Sequence, residues 1–204
     1  MRSFAVRASI VALSLFALTG CKSGLGTLTG STSSPAASSS GGPSVQARSG
    51  GLLAVHDPQQ VTYSITVGTC HALPGPRPDP TCTPGSYDPA VTQADIATTI
   101  CRSGYTTTVR PPVSQTDKAK KTLYTDYGIA TGTTSELDHL VSLELGGSND
   151  VANLWPEVGT IPNPKDTVEN DLHKAVCSGR VTLAAAQQAI ASDWTSAEHV
   201  LGLK

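Results

Sequence analysis

Asp138 and His139, a carboxylate and an imidazole, stand side by side in the run Glu136-Leu-Asp-His-Leu-Val-Ser-Leu-Glu-Leu-Gly-Gly147. Asn153 follows six residues after the Gly pair, and the segment after that carries Asp166, Glu169, Asn170 and His173. Side chains of these types can do the work of a metal-dependent hydrolase. Hydrolysis of a phosphodiester needs a base for water, a cation to neutralise charge in the transition state, and groups that hold both in place. A neutral histidine is a competent base near neutral pH. Carboxylates and imidazoles together suit Mg2+, Mn2+ or Zn2+.

Two elements must position these groups. Leu137, His139 and Val141 share one side of a strand if a period of two holds, with Asp138 and Leu140 on the other. A regular strand therefore cannot aim Asp138 and His139 at one ion; one would hold the metal while the other addresses water, provided the strand bends. Gly146-Gly147 and Asn149-Asp150 supply the turn chemistry for a chain reversal. Asn163 as N-cap and Pro164 at the first helical position open a helix that runs to about Cys177, stopped by Gly179. Val168, Leu172, Ala175 and Val176 form its buried stripe, flanked by Asp166, Glu169 and His173. Asp166 reads as a helix-start residue facing free N–H groups rather than as a ligand.

Elsewhere the pattern is plainer. Residues 61–69 alternate like a strand, residues 70–89 form a proline-rich loop, and a short helix opens at Thr92 and Asp95. Residues 105–110, Tyr-Thr-Thr-Thr-Val-Arg, read as extended up to Pro111-Pro112. Ser114, Asp117 and Gly128 bracket another helix, and a last one spans about 183–194, capped by Thr182. The fold class is α+β, small and disulfide-supported.

The chain begins with two arginines, a short apolar block and small residues before Cys21, which describes an export signal over residues 1–20. Leu18-Thr19-Gly20-Cys21 resembles the lipobox of bacterial lipoproteins. That likeness implies lipid on Cys21 and a membrane anchor on the extracytoplasmic side, without a span. Residues 21–51 are rich in Ser, Gly and Thr and should form a flexible linker, leaving 52–204 as the folded domain. With Cys21 set aside, Cys70, Cys82, Cys101 and Cys177 remain. An even number in an exported chain reads as two disulfides, with Cys70–Cys82 and Cys101–Cys177 the preferred pairing of three. A zinc site is the competing use of these cysteines, but no Cys-x-x-Cys pair occurs.

All 16 acidic residues follow residue 50, against 10 Lys and Arg there, so the folded part carries a formal charge of −6. That balance argues against a tight or sequence-reading nucleic-acid binder and fits weak, non-specific contact better.

Asp138-His139, the Gly146-Gly147 turn and Asn153-Leu154 are similar in order and spacing to the HNH endonucleases of the ββα-metal class, over residues 136–177. The resemblance implies a hairpin-plus-helix unit in which His139 is the general base and Asp138 a metal ligand. Asn153 would orient the hairpin loop, and His173, with Glu169 one turn before it, would complete the metal set. It implies a divalent cofactor and a nucleic-acid substrate, DNA or RNA. This chain lacks the zinc-binding cysteine pairs common in that family, and its longer gap from Asn153 to the helical ligand leaves Glu169, Asn170 and His173 as alternatives for that ligand. Two rivals stand beside this reading: a non-catalytic surface lipoprotein using the scaffold for binding or envelope structure, and a hydrolase of another ester. Glu144 reads as a solvent-facing residue near the site, and Arg110 as a solvated or ion-paired cation that could also meet phosphate.

Overall fold

The computed structural model describes residues 51–204 and the backbone of Gln46–Ala47, all within the compact unit Gly41–Lys204. The export segment, Cys21 and the rest of the linker up to residue 50 lie outside the described residues. Among the described residues no helix is long and apolar enough to cross a membrane.

Helices and short strands mix, as the α+β expectation requires. Strand β1 (Gln46–Ala47) pairs antiparallel with β2 (Leu53–Ala54), which pairs parallel with β3 (Ser86–Tyr87). Helices α1 (Tyr105–Val109) and α2 (Val113–Asp126) come next. Then β4 (Ser135–His139) and β5 (Leu154–Val158) form an antiparallel ribbon whose register sets Glu136 opposite Glu157 and Asp138 opposite Trp155. Helix α3 (Pro164–Cys177) follows the ribbon, and α4 (Leu183–Asp193) and α5 (Ala197–Val200) close the chain.

The start of α3 follows from its sequence. Asn163 accepts from the backbone of Lys165 and Asp166, and the Asp166 carboxylate accepts in return from the Asn163 backbone, a reciprocal capping box. Val168, Leu172, Ala175 and Val176 are buried. Three of them join Val141, Leu145, Ile190 and Trp194 in the main core cluster. The two disulfides are Cys70–Cys82 and Cys101–Cys177, the preferred pairing.

Three local expectations fail, the first of them for a tertiary reason. Residues 61–69 form no strand; within them Thr62 makes one isolated bridge, to Asp150. The Asp150 carboxylate instead accepts from Thr62 Oγ1 at 2.6 Å, Ser64 Oγ at 2.6 Å and Ser64 N at 2.9 Å. Side-chain bonding to a buried acid thus replaces a ladder. Residues 105–109 are helical despite three threonines, started by Gly104 in a left-handed conformation. Residues 93–100 make overlapping turns rather than a regular helix, although Asp95 does accept from Thr92 N.

Candidate functional site

The faces of β4 diverge. Leu137 packs with Ala119, Leu123 and Leu154, on the side of α2. His139 shares that side and lines a groove of about 290 Å3 with Arg110, Thr116, Asp117 and Lys120. Asp138 points the other way, to α3, where its Oδ2 accepts from Lys165 Nζ at 2.7 Å. Side-chain alternation in the strand places the two on opposite faces.

On the groove side, His139 Nε2 lies 3.1 Å from Asn149 Oδ1. The Asn149 amide nitrogen donates to Asp57 O at 3.1 Å and Val109 O at 3.0 Å, so its oxygen is the end that faces the ring. Nε2 therefore carries the hydrogen, and Nδ1 keeps the lone pair. Burial pushes the imidazole from 6.5 down to about 4, with Arg110 and Lys165 adding to the fall and Asp138 and Asn149 opposing it. His139 is neutral at pH 7. Asn149 is itself anchored, since its backbone N donates to Asp57 Oδ1 at 2.9 Å. Burial in turn holds the Asp57 carboxyl up at about 6.

On the other side a fully buried Lys165 gathers the acids. Its Nζ donates to Asp138, to the Glu169 carboxylate one turn along α3, and to the backbone oxygen of His139 at 2.7 Å. Lys165 is 0% exposed and both carboxylates are 15% exposed. Burial alone would depress this ammonium, but Asp138 and Glu169 raise it above its ordinary range. Glu157, across the ribbon, is buried, and its carboxyl hydrogen-bonds the Asp138 carboxylate. Burial first, and then the charge of Asp138, push it up to about 8, so it is neutral at pH 7.

His173 lies elsewhere. Its Nε2 donates to Ile100 O at 2.9 Å, and its Nδ1 is 3.9 Å from Glu144. Among the described residues, one group of three potential metal ligands comes within 4.8 Å: Cys101, His173 and Cys177. Its two sulfurs are joined in a disulfide and offer no thiolate. The expected set of Asp138, Glu169 and His173 does not fit a single divalent ion. Two of its carboxylates already share an ammonium, and the imidazole is bonded at Ile100, beside the disulfide.

Asn153 closes the long loop between the strands. Its Oδ1 accepts from Val141 N at 2.9 Å and Ser86 N at 3.2 Å, and its amide donates to Val141 O and Ser148 O, each at 2.9 Å. All four bonds are buried. Asn153→Ala would leave these backbone groups unpaired, at an expected loss of roughly 3 kcal/mol. Urea denaturation monitored through the buried Trp155 measures it; a loss below roughly 1 kcal/mol would mean that water replaces the amide.

Sequence reasoning missed Lys165, Asn149 and Glu157. A signal existed for the first: residue 165 is three before Val168 and seven before Leu172, which sets it on the buried stripe. Glu157 pairs with Glu136 only once the ribbon register is known. Comparison with models of protein families, with curated proteins and with solved structures finds no match.

Proposed function

We propose that this domain hydrolyses phosphodiesters as a nuclease, with His139 in the general-base role that the HNH resemblance implies. The observation that carries the reading is a neutral imidazole, its Nε2–H fixed by Asn149, in the wall of a groove that also presents Arg110 and Lys120. A phosphate in this groove would set its non-bridging oxygens against the guanidinium and the ammonium. His139 Nδ1 takes a proton from water, and the resulting hydroxide attacks phosphorus. The P–O bond to the leaving oxygen breaks, and that oxygen gains a proton from solvent. The net result is one water added across one ester bond. The −6 charge of the folded part favours weak, non-specific capture of DNA or RNA. Lipid on Cys21 would hold the domain at the outer face of a membrane.

The test is cleavage of supercoiled plasmid by purified protein, in Mg2+ or Mn2+ and in EDTA. His139→Ala should lower the rate roughly 100-fold or more. Cleavage that persists in this variant would remove His139 from the reaction.

The pH profile is a second prediction. The base must be deprotonated, and the imidazole is held down from 6.5 to about 4. The His139-dependent rate should therefore stay level as pH falls from neutral to roughly 5, and drop only below that. A limb centred near the ordinary histidine value would assign the rate to a different, solvated group.

A second reading, a binding or envelope scaffold without catalysis, is favoured by the binding of Asp138 and Glu169 to Lys165 in place of a metal. Absence of cleavage by the wild-type protein under every condition would select it.

A further inference from the structure

We infer that the Lys165 ammonium is the resident cation of this domain, joining β4 to α3 at the place where carboxylates from both elements meet. Three oxygens surround Nζ: a carboxylate oxygen from the strand, one from the helix, and the backbone carbonyl of His139. An ammonium has three hydrogens, so this set satisfies it completely. The carboxylates remain while the side chain that joins them is tethered to α3 itself, four residues before Glu169. The ammonium offsets one of the two carboxylate charges from within the chain.

The acids around this ammonium are already engaged. Asp138 and Glu169 bond the ammonium directly. Glu136 is bonded by the amide of Asn163, and Asp166 by the Asn163 backbone, so both are engaged at the helix start. A divalent ion would have to displace a fully buried ammonium and leave it unpaired, which is strongly unfavourable. Lys165 also acts on the groove side, because its bond to the His139 carbonyl fixes the backbone of that residue. It is a positioning residue for His139, not a group that meets substrate. The inference holds whether or not His139 hydrolyses anything.

The experiment is a thermal melt and a Mn2+ titration followed by the spectrum of the free ion, on the full chain. The wild-type protein should melt at the same temperature in EDTA and in Mn2+, and bind no Mn2+ at this site. Lys165→Ala should lower the Tm by roughly 10 °C. Mn2+ should restore part of that loss by binding at one site, which Asp138→Asn added to the variant abolishes. A wild-type protein that binds one Mn2+, with binding lost in Asp138→Asn, would overturn the inference, as would a Lys165→Ala variant as stable as wild type. Should Lys165→Ala not fold, the wild-type arm decides alone, and Lys165→Met with Asp138→Asn and Glu169→Gln should regain a folded protein indifferent to Mn2+. Failure of the nuclease reading would appear instead as absent plasmid cleavage, with these melts unchanged.

Discussion

Gly147→Ala is expected to destroy the folded domain, with a stability loss of at least about 5 kcal/mol. A Cβ at this position would stand 1.7 Å from the carbonyl oxygen of Val141, 2.7 Å from its carbon and 2.9 Å from Ser142 O. Those neighbours are backbone, so no rotamer change relieves the clash. The Gly147 amide also donates to Ser142 O at 2.9 Å, which pulls the two strands of backbone together. Separating them would disturb Val141 and Leu145, both 0% exposed, and shift the segment that carries Asn149 to His139. Gly68→Ala is the control, since a Cβ there meets nothing within 4 Å. Circular dichroism and chemical denaturation should show the control within roughly 0.5 kcal/mol of wild type. A cooperative unfolding transition for Gly147→Ala close to that of wild type would refute the close approach.

The same loop shows what was legible in the sequence and what was not. Gly146-Gly147 announced a reversal, and Gly146 does adopt a φ of 70°. Yet the loop closes through Asn153 and Asn149, whose partners at Ser86, Asp57 and Val109 are distant in the chain. Helix α3 was readable because its signals are local: Asn163-Pro164 at the start and apolar residues at helical spacing. Strand alternation correctly set Asp138 and His139 on opposite faces, which already weighed against one shared ion. What spacing alone could not give was the occupant of the space between strand and helix. Lys165 and Glu169 are four apart, and such a pair usually lies on a solvated face. Here the lysine stands on the buried stripe, and the ribbon brings Asp138 down onto it. Likewise, the threonines of 105–109 favour a strand by propensity, but the segment becomes α1 and presents the Val109 carbonyl to Asn149.

Removing the Cys101–Cys177 bridge should cost about 4 kcal/mol, more than removing Cys70–Cys82, at about 3 kcal/mol. The ranking follows from loop length: the first pair is 76 residues apart in sequence and the second 12. A longer loop restricts the unfolded chain more when it is closed. The native state offers partial compensation at the longer bridge. Ile100 is 3% exposed and Val176 0%, and His173 bonds the Ile100 carbonyl, so the two segments would still be in contact without sulfur. That contact is why a Cys101→Ser/Cys177→Ser protein should still fold, with its loss appearing as a lower denaturation midpoint. His173→Ala in the same background should then add a further loss of roughly 1 kcal/mol, because it removes the remaining bond across the junction. In the wild-type background the same substitution should cost less, since the bridge already fixes the geometry. Guanidinium titrations of the four proteins measure the coupling. Equal costs of His173→Ala with and without the bridge would show that the imidazole and the disulfide hold the junction independently.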